Sequence, residues 1–256
     1  MTGDNSAVLS QTDTTNPILQ WYSKLFSRRV DLVGDFAGSE RFLIHGESLL
    51  LHCFSDAQID FEPGLQLLHA SYSVEKFLHG LVSRRCNFHI AFFDEHQDLC
   101  VPQDASPAVS EKYLLARVAI IRHLQANLRP VHPDIEVKVF PSATSAGFEE
   151  YLRATDVYFI LCHDGASTKD VGERALRKDL NSLKSEGKSL QERHEQYKAS
   201  LRKLIYSMMQ RGYSTALING LEYQDTKAIA SVLEHSRAMT LDVPQTVSEA
   251  GRIAVF

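Results

Sequence analysis

The 256-residue chain has few cysteines, and they form no paired motif. The four cysteines lie at positions 53, 86, 100 and 162, and none belongs to a Cys-x-x-Cys pair. A chain of this length buries a substantial core without disulfides or structural metal ions. We therefore expect reduced, mostly buried thiols in a cytoplasmic protein rather than a disulfide framework.

Long hydrophobic runs and an excess of positive charge are also missing. No apolar run approaches the roughly 20 residues of a membrane helix. The first residues, Met-Thr-Gly-Asp-Asn-Ser, have neither the basic start nor the apolar core of a signal peptide. The sequence thus predicts neither secretion nor a membrane partner. The net charge of -5 argues against a strongly basic, histone-like binder but leaves room for a local basic patch.

Short apolar runs alternate with helical patterns from Arg41 onwards. Five runs predict strands, at 42–44, 88–93, 135–139, 157–162 and 216–218. Amphipathic stretches lie between them, and the last predicted helix extends through Ile229 and Leu233. This alternation predicts an α/β fold with a mainly parallel five-stranded sheet and helices on both faces. Such sheets bind ligands at the carboxyl ends of their strands.

The pattern divides the chain into three parts. Residues 1–34 are expected to form a disordered lead-in followed by an amphipathic docking helix over 17–29. Residues 35–236 form the predicted domain, and residues 237–256 form a C-terminal extension. The final residues, Ile253-Ala254-Val255-Phe256, are typical of an interrupted strand, so we expect a truncated product.

A charged segment at residues 167–212 interrupts the alternation. Between 167 and 204 there are ten Lys or Arg and six Asp or Glu, a local net charge of +4. A heptad-like recurrence of Leu and Tyr predicts a helical arm, which Gly187 could break into a hairpin. Two interpretations stay open: a solvated arm packed on the domain or a partner, and a basic arm that faces RNA. In the second, the contacts come from Arg174, Arg177, Lys178, Lys184 and Lys188.

Acidic residues follow three of the predicted strands. They are Glu47, Asp94 and Asp164. In a parallel sheet these carboxylates could converge on one edge, where they would need a cation such as Mg²⁺ or Mn²⁺. Such ions activate water for attack on a phosphodiester, so the implied chemistry is metal-dependent cleavage of nucleic acid. The alternative is that each acid caps a helix or begins a turn.

Several stretches together resemble the N-terminal PIN-like domain of the superkiller-type DExD/H-box RNA helicases, above all the antiviral class known as helicase sixty. The similarity covers roughly residues 35–235, and the matching stretches are 35–50, 72–78, 88–93, 120–125 and 158–161. The resemblance implies a PIN-like fold and a place beside an ATP-dependent RNA helicase motor. It also implies strand-end acids around one or two metal ions, with Glu47, Asp94 and Asp164 catalytic and His45 as a further metal ligand.

The first strand departs from the pattern of this family, which is Asp-Gly-Asp-Ser-Leu-Leu. Here the residues at 45–50 are His-Gly-Glu-Ser-Leu-Leu. Imidazole is a poor ligand for Mg²⁺ and a better one for Zn²⁺ or Mn²⁺, while Glu47 keeps a carboxylate on a longer arm. We therefore expect a module that binds RNA, or helicase domains of the same or a related protein, with a degenerate nuclease site. The alternative is an active Mg²⁺- or Mn²⁺-dependent ribonuclease.

Two fragments imitate helicase motifs without their context. Residues 92–96 resemble a Walker B strand, and Gly187-Lys188-Ser189 resembles the end of a P-loop. The first P-loop glycine is replaced by Ser182, no apolar strand precedes it, and the order of the two motifs is reversed. We expect no ATPase or helicase motor within this chain and no small-molecule cofactor.

Overall fold

The structure, a computed structural model, describes residues 16–35, 40–55, 59–102, 105–166 and 186–235. Its centre is a single sheet. The strands are β1 (Leu25–Asp31), β2 (Arg41–His45), β3 (Phe88–Phe93), β4 (Val137–Phe140), β5 (Val157–Cys162), β6 (Ser214–Gln224) and β7 (Lys227–His235). They lie in the order β1-β7-β6-β5-β2-β3-β4. The five strands from β6 to β4 are parallel, whereas β7 is antiparallel to both β6 and β1.

Helices cover both faces of this sheet. They are α1 (Pro17–Tyr22), α2 (Gly46–Phe54), α3 (Leu67–Val82), α4 (Pro107–Val131), α5 (Ala146–Thr155) and α6 (Glu186–Gln210), with a 3₁₀ helix at Asp94–Cys100. Successive strand residues point to opposite faces. Phe42 and Ile44 of β2 therefore join the core beneath α2, α3 and α4, and Leu43 joins the core beneath α5 and α6. Among the described residues, no helix combines the length and apolar character needed to cross a membrane.

The predicted α/β class and the mainly parallel sheet are confirmed, and the five predicted strands correspond to β2 to β6. The prediction of five strands was wrong in number, because two antiparallel strands extend the sheet. Residues 25–29, predicted as the end of a helix, belong to β1. The stretch predicted as a helix through Ile229 and Leu233 forms β7.

The error at β7 has a physical cause. Ile229 and Leu233 lie four residues apart, which imitates the period of a helix. The buried residues Ala228, Ala230 and Val232 instead alternate with more exposed ones, as they do in a strand. Because alanine side chains are small and only weakly apolar, this alternation is hard to recognise in the sequence.

The predicted arm at 167–212 is described only in part. Helix α6 covers its C-terminal portion, and Gly187 lies in the first turn of that helix. Leu204, Ile205 and Met208 are buried against the sheet. The C-terminal half of the arm is therefore packed on the domain. Residues 167–185 lie outside the described residues, as do 1–15 of the predicted lead-in and the predicted extension 237–256.

Candidate functional site

The carboxyl ends of β5, β2 and β3 lie side by side at one edge of the sheet, because β2 pairs in parallel with both of its neighbours. Glu47 is the second residue of α2, Asp94 begins the 3₁₀ helix after β3, and Asp164 lies two residues beyond β5. The topology therefore brings the three predicted acids to the same edge. Their side chains, however, have different partners.

Gly46 brings α2 close to β3 at this edge. A Cβ atom added at Gly46 would lie 2.2 Å from Cδ1 of Phe92, far inside van der Waals contact. Only glycine leaves room for this approach. The close approach of α2 to β3 places Glu47 directly against the end of β3.

Glu47 is fully buried and forms an ion pair with Arg117 of α4, which is only 4% exposed. Glu47 Oε1 accepts hydrogen bonds from Arg117 Nη2 at 2.7 Å, from Arg117 Nε at 3.0 Å and from the backbone N–H of Phe93 at 3.1 Å. Arg117 Nη2 also donates to the Phe93 carbonyl at 3.2 Å and lies 3.5 Å from Asp94 Oδ1. Arg117 thus places a protein cation beside Glu47 and Asp94, two of the four predicted metal ligands.

Burial raises the pKa of Glu47 to about 7, although the Arg117 guanidinium opposes the rise. A carboxylate moved out of water favours its neutral form, and a nearby positive charge favours its ionised form. Arg117 therefore keeps the Glu47 pKa from rising further. We name Glu47, Arg117, Phe93 and Asp94, together with His45, the Glu47 cluster.

His45 is fully buried and caps the N-terminus of α2. Its Nδ1 accepts a hydrogen bond from the backbone N–H of Ser48 at 3.1 Å. This bond assigns the ring hydrogen to Nε2, which lies 3.1 Å from Nδ1 of His96 and 3.7 Å from Oε2 of Glu47. Burial, with His96 and Arg117 nearby, holds the pKa of His45 well below its usual value. His45 is therefore a neutral helix cap.

Asp164 is 4% exposed and is held by neutral donors. Its Oδ2 accepts from the Tyr22 hydroxyl at 2.6 Å, and its Oδ1 accepts from Asn219 Nδ2 at 2.7 Å and from the backbone N–H of Ala166 at 2.8 Å. Arg202 Nε donates to the Asp164 carbonyl at 3.3 Å, and its guanidinium lies 4.3 Å from the centre of the Tyr22 ring. We name Asp164, Tyr22, Asn219 and Arg202 the Asp164 cluster.

The Asp164 cluster joins elements that are far apart in the sequence. The carboxylate connects α1 and β6 to the segment after β5. Burial and the neighbouring Asp164 raise the pKa of Tyr22, so the phenol remains a hydrogen-bond donor.

Ser48 and His163 link the two clusters. Ser48 Oγ lies 3.0 Å from Nδ1 of His45 and accepts a hydrogen bond from the backbone N–H of His163 at 3.0 Å. His163 Nδ1 in turn accepts from the backbone N–H of Gly165 at 2.9 Å. Burial lowers the pKa of His163 to about 4. The neutral imidazoles of His45 and His163, joined through Ser48, thus lie between the Glu47 and Asp164 clusters.

The four predicted metal ligands are His45, Glu47, Asp94 and Asp164. Over the described ranges, no group of three or more His, Cys, Asp or Glu side chains is positioned to hold a metal ion. Arg117 and Phe93 satisfy Glu47, three neutral donors satisfy Asp164, and the Asp94 side chain is 62% exposed beside Arg117. As arranged, these residues do not fit Mg²⁺ or Mn²⁺, and the metal-ion expectation stays a prediction.

The residues predicted to contact RNA cannot be placed in this way. Arg174, Arg177, Lys178 and Lys184 lie outside the described residues. Lys188 lies in the first turn of α6, before the part of that helix whose side chains are described. Their role stays a prediction.

Sequence reasoning did not identify Arg117, Tyr22 or Asn219 as partners of the acids. One signal for Arg117 was present, because it lies four residues after Tyr113 and three before Ile120 on the predicted apolar face of α4. A charged residue on a buried helix face requires a partner of opposite charge. Tyr22 and Asn219 carried no such signal, since their hydrogen bonds to Asp164 depend on how distant segments pack.

Comparison with known families shows which family most of the chain matches. Residues 12–176, well over half of the chain, match the family described as ATP-dependent RNA helicase DDX60, PIN-like domain. No solved structure matches the chain. The resemblance noted at the strand ends is thereby confirmed, and α6, β6 and β7 lie beyond the matched residues. The chain belongs to the family of PIN-like domains of the ATP-dependent RNA helicase DDX60.

Proposed function

We propose that this PIN-like domain serves a DDX60-type helicase as a module that binds RNA and does not cleave it. The observation that carries the absence of cleavage is the buried ion pair between Arg117 and Glu47, and the match to an RNA helicase family supports the binding of RNA. In the Glu47 cluster the negative charge is already balanced by a side chain of the same domain. A metal ion is not needed to hold these groups together.

The charges at this edge disfavour a divalent cation beside Glu47. Such an ion would lie next to the Arg117 guanidinium, and two unit charges about 4 Å apart repel by roughly 4 kcal/mol in a partly buried setting. A buried guanidinium separated from its carboxylate is costly as well. Competition between Arg117 and the metal ion therefore weakens metal binding.

Asp164 supports the same proposal by a different route. All three of its partners are hydrogen-bond donors, and two of them, Tyr22 and Asn219, come from elements outside the β5 end. A metal ion would have to displace at least one donor to reach the carboxylate. Asp164, which corresponds to a later acid of the family pattern, thus connects separate elements of this fold.

The alternative function is a Mg²⁺- or Mn²⁺-dependent ribonuclease. The order β5-β2-β3 supports it, since it places Glu47, Asp94 and Asp164 at one edge. The exposed side chain of Asp94 also supports it, because that carboxylate is open to solvent. This alternative requires Arg117 to leave Glu47 when substrate and metal ion arrive.

One experiment separates the two functions. Labelled single-stranded RNA is incubated with the full chain in Mn²⁺, in Mg²⁺ and in EDTA, and binding and cleavage are measured in parallel. We expect binding in all three conditions and no metal-dependent product. Cleavage in Mn²⁺ that disappears in Asp164→Asn would establish the ribonuclease and refute our proposal. Absence of both binding and cleavage would remove RNA as the partner.

The partners and the cellular location that we propose for the module rest on its family. We propose RNA and the helicase domains of the same or a related protein as its partners, in an antiviral-type helicase of the cytoplasm. The match to the DDX60 PIN-like domain supports this proposal. Pull-down of a purified DDX60-type helicase core by this chain, with and without RNA, tests the protein partner directly.

A further inference from the structure

Helix α1 carries aromatic side chains that are not fully buried. Trp21, the single tryptophan of the chain, lies edge-on to Tyr206 of α6, with ring centres 4.9 Å apart and an interplanar angle of 85°. It also lies 5.9 Å from the ring of His235, which is exposed. Trp21 and Tyr206 are half-buried, and no residue of α1 is fully buried. Two large rings therefore share one patch of surface.

Three positively charged residues lie on the same helix as Tyr206. Residues 196–210 contain Lys198, Arg202 and Lys203 and no acidic residue. Lys198, Arg202 and Tyr206 follow one another at spacings of four residues, so they lie along one ridge of α6. Lys198 is paired with Glu195 at 3.5 Å. Lys203 is exposed and forms no ion pair with a described residue, so it is free to meet an anion.

We propose that single-stranded RNA binds on the surface formed by Trp21, Lys198, Arg202, Lys203 and Tyr206, named here the α1–α6 surface. This inference rests on the proposed function and assigns its RNA contacts to a second region, beyond the basic residues predicted at 174–188. Cations next to aromatic rings that are partly open to solvent are the combination that binds single strands, because phosphates contact the charges and bases stack on the rings.

The chemistry favours single strands over duplexes. Bases inside a duplex are already stacked on one another and cannot reach an aromatic side chain. Every base has a stacking face, so contacts of this kind tolerate most sequences. The α1–α6 surface is therefore expected to bind single-stranded RNA with little sequence preference and with marked dependence on salt.

Because Trp21 is the only tryptophan, its emission reports directly on this surface. The full chain is titrated at low salt with unlabelled oligouridine of about 12 nucleotides, within the usual range of single-strand site sizes. The same RNA carrying a terminal dye is followed by anisotropy in parallel. We expect the Trp21 emission to change with the same midpoint as the anisotropy, and a duplex of equal length to change it much less.

Two variants with the same charge change make the test specific. Lys203→Glu reverses a charge on the α1–α6 surface, and Lys76→Glu reverses an exposed charge on α3, whose core lies on the opposite face of the sheet. We expect Lys203→Glu to weaken RNA binding by roughly three- to tenfold and Lys76→Glu to leave it nearly unchanged. A Tyr206→Leu variant is expected to weaken binding by about tenfold through lost stacking.

The outcomes distinguish this inference from the function on which it rests. If anisotropy shows binding while Trp21 emission stays constant and both lysine variants bind equally, RNA binds elsewhere. The assignment of RNA to the α1–α6 surface then fails, whereas the proposed RNA-binding function stands. If neither signal changes with any RNA, the proposed RNA-binding function fails together with the surface. Circular dichroism of each variant shows whether a loss of binding reflects a loss of fold.

Discussion

The Glu47 cluster and the Asp164 cluster lie at the same edge of the sheet, yet their carboxylates are stabilised in different ways. Glu47 is fully buried and faces a guanidinium, whereas Asp164 is almost as buried and faces a phenol, an amide and a backbone N–H. One cluster balances charge with charge. The other solvates a charge with neutral dipoles.

This difference shows that the position of an acid at a strand end does not determine its role. Both residues follow parallel strands, and the sequence gives no reason to treat them differently. Their roles depend on partners that lie far along the chain, such as Arg117, 70 residues after Glu47, and Tyr22, 142 residues before Asp164. Variants that remove one partner at a time test whether the two clusters differ as the structure indicates.

Removal of Arg117 is expected to have the largest effect. Arg117→Met keeps most of the side-chain volume but leaves Glu47 buried without its cation. Breaking a buried ion pair on one side typically lowers the free energy of unfolding by about 3–5 kcal/mol. Urea denaturation followed by circular dichroism measures this loss.

The matched control is Arg122→Met, an exposed arginine on the same helix, which should stay within about 0.5 kcal/mol of the parent. The double variant Glu47→Gln with Arg117→Met should regain part of the loss, because it no longer buries an unpaired charge. A loss below about 1 kcal/mol in Arg117→Met would mean that Arg117 is not the cation that stabilises Glu47.

Much of this architecture was predictable because it depends on local pattern. The continuous apolar runs of β3 and β5 indicated buried parallel strands, and the acids after these strands predicted which edge of the sheet carries a functional site. The strands β1 and β7 were missed because β1 buries only Val30 and β7 buries small alanines, so neither shows a strong apolar alternation. Hydrogen-bond partners were beyond reach, since Tyr22, Arg117 and Asn219 meet the acids only after distant elements pack.

Glu47 and His163, which links the two clusters, are expected to have opposite effects on stability as pH changes. The folded protein keeps His163 neutral down to about pH 4, whereas the unfolded chain takes up a proton near 6.5. The unfolded state then binds more protons between these values, so this group lowers stability as pH falls from 6.5 towards 4. Glu47 acts in the other direction: its folded pKa of about 7 lies above the unfolded value of 4.5, so the folded state gains stability as pH falls through that window.

The variant His163→Asn isolates one side of this balance. Asparagine can still accept the hydrogen bond from Gly165, but it does not titrate. Between pH 7.5 and pH 5 the variant should lose about 2 kcal/mol less stability than the parent. His79→Asn, at an exposed position on α3, serves as the control and should keep the parental slope. Parallel slopes for all three proteins would show that His163 does not set the pH dependence.

Removal of one neutral donor is expected to have the smallest effect. Tyr22→Phe deletes the hydroxyl that donates to Asp164 Oδ2 and leaves the ring, its contact with Arg202 and the two donors to Oδ1 in place. A single hydrogen bond to a charged group is worth about 1.5 kcal/mol net, well below the effect expected at Arg117. Equilibrium unfolding measures the loss of stability. The matched control is Tyr72→Phe, at an exposed position of α3, which should cause no loss. A loss as large as that of Arg117→Met would mean that Asp164 depends on one donor rather than on three, and the contrast between a charge-balanced and a dipole-solvated carboxylate would no longer hold.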